Sequence, residues 1–207
     1  MSPPWERHAQ LLSSIQKEWD LAEADIKQAE QVCHSVVVPA IKELRYAGRR
    51  LVEAIQPTIS APDRVQALLQ DANFNCHRAR HDAIDAGTSK IASDLDIMVS
   101  KIGHDAILKC YPDFAVMRHE LSEIRAVIVE SRGNREGRAA FYVNLENAQF
   151  PAIVKRHVTL QAAEPMMREM ASASRRAKFY SWIFGFGGLA FGVIGFGFAI
   201  YAWEYPR

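Results

Sequence analysis

The chain has 207 residues, with 25 Lys+Arg against 24 Asp+Glu, and 49% of it is hydrophobic. That near-neutral balance excludes a global polycation that would bind nucleic acid through bulk charge, and the apolar fraction suffices for one domain with a real core. Cys33, Cys76 and Cys110 are widely spaced with no C-x-x-C pair, which argues against a disulfide framework or a Cys-based zinc module and fits buried thiols in a reducing cytosol.

Ser2 followed by Pro3 and Pro4 reads as a helix start, a capping hydroxyl ahead of prolines placed where N–H groups are unpaired. Trp5, Leu12, Trp19, Ile26 and Cys33 then recur every seven residues, with Ile15, Ala22, Ala29 and Val36 on the adjoining phase. The pattern predicts a long amphipathic helix to about Val38, either a coiled-coil seam or a bundle helix packed within its own domain. Pro39 breaks or kinks it, and Ile41, Leu44, Leu51, Val52 and Ile55 resume the period. QPTISAPD is a loop.

A further helix is expected from Pro62 to about Ala86, with Val65, Leu68, Leu69, Ala72, Cys76, Ala79 and Ala83 on one face. Gly87-Thr88-Ser89 reads as a stop and a new cap, and the next helix carries Ile91, Leu95, Met98, Ile102 and Ala106 to near Lys109. Tyr111-Pro112-Asp113 is a break ahead of a helix with Phe114, Met117, Leu121, Ile124 and Ile128. SRGNREGR thins the pattern, a short run follows through Phe141 and Leu145, and Pro151 opens the last helix of the domain, with Pro165 as a kink in its path.

Phe179–Trp203 contains no Asp, Glu, Lys, Arg or His. As a helix it would span roughly 35 Å, enough to cross a bilayer core of about 30 Å with some tilt. Phe179, Tyr180 and Trp182 stand at one end and Tyr201, Trp203 and Tyr205 at the other, suited to the two membrane interfaces. Arg175, Arg176 and Lys178 precede the segment, which places the N-terminal side in the cytoplasm, as in a bacterial inner-membrane protein. Gly185, Gly188, Gly192, Gly195, Ala199 and Ala202 form one small-residue stripe, including a GxxxG pair, and predict self-association through close backbone packing. The expected architecture is all-α: a cytosolic helical domain (1–170), a basic juxtamembrane segment (171–178), one transmembrane helix (179–203) and a short tail (204–207).

No phosphate-binding glycine loop, H-E-x-x-H, G-x-S-x-G or kinase set occurs, so no enzyme is expected. His77, His81 and Asp85 share a helix face, but that spacing arises easily by chance, and no metal or other cofactor is expected. Arg132, Arg135 and Arg138 could form an anion or acidic-partner site, or a solvated face paired with Glu130 and Glu136. No aromatic residues interleave with that cluster, so nucleic acid is not an expected partner there. Arg175, Arg176, Lys178, Trp182 and Trp203 are the membrane-interface candidates. The expected partners are membrane lipid, further copies of the chain and a cytosolic protein. The function these features suggest is a membrane-perturbing or pore-forming effector, of the defence or toxin kind, held in check by the cytosolic domain. The alternative is a tail-anchored scaffold that brings a soluble partner to the membrane.

Overall fold

The computed structural model describes residues 7–56, 61–133 and 138–204, and the side chains of all these except 138, 139 and 184–204. The fold is all-α, and no strand occurs among the described residues. The elements are α1 (Ala9–Cys33), α2 (Val38–Ala54), α3 (Pro62–Ile102), α4 (His104–Cys110), α5 (Phe114–Gly133), α6 (Arg138–Asn144), a wide π-type turn (Leu145–Gln149) and α7 (Phe150–Glu204). The helix start proposed at Ser2 lies outside the described residues.

α1 is the expected amphipathic helix, but it packs inside the domain. Ile15, Ala22, Ile26, Ala29 and Val32 are buried, while Leu12, Trp19 and Cys33 are partly buried against the same core. It also ends earlier than Pro39 suggests, because His34 adopts a left-handed conformation at φ 52° and closes the helix. Pro39 instead lies in the first turn of α2, where a missing N–H removes no hydrogen bond.

The break expected at Gly87-Thr88-Ser89 is absent: α3 runs through it as a single helix of 41 residues. Gly87 is there for close packing, since a Cβ at that position would lie 2.7 Å from the Phe150 ring. Thr88 does not cap a new helix; its hydroxyl donates 2.7 Å to the Ile84 carbonyl of the preceding turn. α3 stops at Ile102 rather than near Lys109, because Gly103 has φ 93°, a conformation that side chains disfavour. α4 then begins at His104.

At the far end, Phe150 N–H donates to the Leu145 carbonyl, five residues back. Pro151 has no N–H to return to Asn147, and the Asn147 amide donates 2.7 Å to the Val143 carbonyl. The helix therefore continues through the wide turn into α7, so Pro151 lies just inside the helix it was expected to open. The turn has a packing consequence: Tyr142, Leu145, Phe150 and Ile153 are all buried, although Leu145 and Phe150 are five positions apart.

α3 is the central element. Glu18 meets His77, Asp25 meets Arg80 and Ala29 lies beside Gly87, so α1 runs parallel to α3. Arg50 pairs with Asp71 and Arg78 with Glu43, so α2 runs antiparallel. α5 is also antiparallel (Arg132 to Asp85, Arg118 to Asp96), and α7 is parallel (Phe150 beside Gly87, His157 beside Asp94). Cys76, Ile84, Ile91 and Leu95 form the spine of this core, almost wholly removed from water. Among the described residues, no helix is long and apolar enough to cross a membrane. Most of the 179–203 segment, from residue 184 onward, has side chains outside the described set.

Candidate functional site: a buried charge network at the entry to α7

Arg80 and His81 lie on the inward phase of α3, between the buried Cys76 and Ile84, and each is only 4% exposed. A charge in that position needs partners, because its desolvation is uncompensated otherwise. Three elements supply them. Arg80 Nε donates 2.9 Å to Asp25 Oδ2, and its Nη1 lies 3.0 Å from Glu18 Oε2, both on α1. Nη1 also lies 2.8 Å from Glu146 Oε2, in the wide turn that leads into α7.

The network extends outward on two sides. His77 Nδ1 is 3.4 Å from Glu18, and His81 Nε2 is 3.4 Å from Glu146 Oε1. The His81 ring stacks on Tyr142 with centroids 3.7 Å apart. Tyr142 donates 2.6 Å to Asp85 Oδ1, and Arg132 of α5 donates 3.0 Å to Asp85 Oδ2. One guanidinium thus holds three carboxylates, and a second, more exposed guanidinium closes the outer layer.

The electrostatics follow from burial and pairing. Burial of Asp25 pushes its carboxyl above the usual value, against the hydrogen bond and charge of Arg80. Burial of Arg80 works against its charge, but the Asp25 hydrogen bond and the charges of Glu146, Asp25 and Glu18 prevail, and its pKa is raised. A second, smaller cluster lies further along α7. His157, 1% exposed, places Nε2 3.2 Å from Asp94 Oδ2, with Lys90 on the same carboxylate. Burial lowers the His157 pKa, opposed by Asp94 and assisted by the charges of Lys90 and His34.

Chemically, the Arg80 network presents paired and buried groups, an arrangement suited to tying helices together. His77, His81 and Asp85 do lie along one face, but each faces a different partner: Glu18, Glu146 with Tyr142, and Arg132 with Tyr142. No group of three or more His, Cys, Asp and Glu among the described residues could hold a metal ion.

Of the arginines proposed as an anion site, Arg132 is 61% exposed at its side chain and bonded to Asp85. Arg135 and the side chain of Arg138 lie outside the described residues. Only the helical backbone is described at Gly185, Gly188, Gly192, Gly195, Ala199, Ala202 and Trp203. Arg175, Arg176, Lys178 and Trp182 are exposed where α7 extends past the domain.

No protein-family model, curated protein or solved structure matches the chain.

Sequence reasoning missed Arg80, Asp25 and Glu146, although two left a signal. Asp25 falls between Ala22 and Ala29 on the inner stripe of α1, and Arg80 between Cys76 and Ala83 on that of α3. A charge on an apolar phase marks a buried ion pair. Glu146 left none, because its inward position depends on the wide turn.

Proposed function

We propose that the protein is a C-tail-anchored membrane effector. Its helical domain governs a glycine-lined apolar segment that self-associates in the bilayer and perturbs or permeabilises it. The observation that carries this reading is the continuity of α7. The helix that fills the core with Phe150, Leu160 and Met167 runs on to Glu204, and residues 173–183 are exposed once it has left the domain. A displacement of α7 in the domain would therefore be felt in the apolar segment without an intervening hinge loop. Glu146, bound to Arg80, ties the entry of that helix to α1 and α3. A trigger that separates this pair would release α7.

The apolar run, its aromatic ends, the basic residues on one flank and the small-residue stripe from Gly185 to Ala202 support the membrane half of the reading. The test is membrane potential and viability during induced expression of the full chain, Gly188→Leu, Gly192→Leu and a chain ending at Ala177. Depolarisation by the full chain alone, lost in both glycine variants while they remain in the membrane fraction, is the expected result. Full activity with a polyleucine replacement of 179–203 would reject it.

A second reading is a tail-anchored adaptor. The specific observation in its favour is the outer face of α2 and the residue that follows it, where Val38, Ile41, Val52 and Ile55 are exposed at 51%, 42%, 57% and 62%. Because α1 spends its apolar stripe inside the domain, a recruited partner would meet this face instead. Affinity capture with Ile41→Asp as the control separates the two readings.

A further inference from the structure

The membrane-proximal end of the domain holds a cationic pocket that the sequence does not bring together. Gly103, at φ 93°, ends α3 and turns the chain into α4, and α4 lies against α7 through Cys110 and Met170, whose sulfurs are 3.1 Å apart. That turn sets Lys101 and His104 beside Ser174, Arg175 and Lys178, around a cavity of about 360 Å³. Arg175 and Lys178 are three residues apart and so project from one side of α7.

Three properties of the pocket identify its ligand. First, Lys101, Arg175 and Lys178 have no ion-pair partner among the described residues, whereas Arg132, Arg156 and Arg168 each hold a carboxylate. Asp105 is the one acidic side chain in the lining, so the pocket carries a net positive charge. Second, the cavity is of a size to take a phosphate-bearing headgroup and is too small for a folded protein partner. Third, the residues that follow Lys178 on the same helix are Phe179, Tyr180 and Trp182, exposed at 60%, 58% and 60%. Aromatic side chains of this kind favour the headgroup level of a bilayer.

We infer that Lys101, Arg175 and Lys178 form a binding site for the headgroup of an anionic phospholipid, gripping its phosphate where α7 leaves the domain. The site rests on the membrane reading above and adds a lipid preference to it. Lys101 gives the site a consequence beyond topology, because it belongs to α3. A headgroup held between Lys101 and Arg175 would join the central helix of the domain to the leaflet, so that bilayer composition bears on how firmly α7 is seated.

The test uses the full chain reconstituted in bilayer nanodiscs of phosphatidylcholine with a minor fraction of phosphatidylglycerol. Insertion is read first, by resistance to alkaline carbonate extraction from membranes. Enrichment of phosphatidylglycerol on the purified chain is then read by native mass spectrometry. The wild type should enrich the anionic lipid, and Lys101→Gln should lower that enrichment by about five-fold, the effect of one charge at a leaflet surface. Lys17→Gln, the same change on α1, should leave it unaltered. Helicity by circular dichroism checks that each variant is folded.

An inserted wild-type chain that takes both lipids equally would overturn the site and leave the anchor standing. Equal effects of Lys101→Gln and Lys17→Gln would do the same. Displacement of the lipid by millimolar inorganic phosphate would show a site for free phosphate and reject the lipid assignment. A chain that fails to insert would overturn the anchor and this site with it.

Discussion

Replacing Arg80 with methionine preserves much of the side-chain length and removes the one cation that Asp25, Glu18 and Glu146 share. Those carboxylates lie 2.9, 3.0 and 2.8 Å from the guanidinium, and their side chains are 10%, 15% and 7% exposed. Breaking a buried pair by deleting one partner costs about 3–5 kcal/mol, since the remaining charge is desolvated and alone. In a domain of this size each kcal/mol shifts Tm by about 2–4 °C, so Arg80→Met should lower Tm by roughly 6–20 °C. The loss should also depend on pH. The native Asp25 pKa is already above 3.8, and removing Arg80 raises it further. A carboxyl whose native pKa exceeds its unfolded value contributes stability below the unfolded value and loses it as pH rises through the native one. The deficit of Arg80→Met should thus be greatest at neutral pH and narrow as pH falls toward about 4. Thermal and urea unfolding of the full chain in mild detergent, followed by circular dichroism, measures both. A loss under about 1 kcal/mol, or one that does not change between about pH 4 and 7, would refute the reasoning.

Gly87→Ala and Gly48→Ala make a matched pair. A Cβ at Gly87 meets the Phe150 ring at 2.7 Å, so this variant should lose about 1–3 kcal/mol despite its better helix propensity. At Gly48 the nearest atom is in Trp19 at 3.5 Å, an ordinary contact, and the variant should gain up to about 1 kcal/mol; urea midpoints decide, and equal signs would count against the packing role of Gly87. The native pKa of His157 lies below its ordinary 6.5, so its contribution is whole above that value and falls away as pH drops below it. His157→Gln should flatten this part of the stability–pH curve, and an unchanged slope would show that another group titrates there. Burial pushes the Cys76 thiol up to about 11, so iodoacetamide at pH 8 should label it only after unfolding, as mass spectrometry would show; labelling of the folded chain would contradict its burial.

The helical class and the inward faces of α1 and α3 were legible because hydrophobic periodicity reports burial directly. Two breaks were misread for a common reason. Glycine and proline have alternative uses that local sequence does not distinguish. Gly87 admits the Phe150 ring from a helix far along the chain, and Pro39 opens α2 rather than ending α1. At Gly103 the reverse holds: a glycine within an otherwise continuous apolar pattern does end its helix, through a positive φ. The buried network was half legible, in charges that occupy apolar phases. The cationic pocket was not legible, because Lys101 approaches Arg175 and Lys178 only after that turn.

The wide turn at Leu145–Gln149 has a further consequence for α7. At 3.6 residues per turn, Leu145 and Phe150 would point about 140° apart on a regular helix, yet both are buried in one core. The turn acts as a phase shifter, setting the angle at which everything after it is presented. Removing one residue from it would return the turn to α-helical spacing, short only of the bond that Pro151 cannot donate, and turn the downstream helix by about 100° about its own axis, with a shift along that axis of only about 1.5 Å. The face of α7 that now meets Gly87 and Asp94 would rotate out of the domain, and the apolar segment would rotate by the same angle. This helix is therefore governed by its rotation more than by its length.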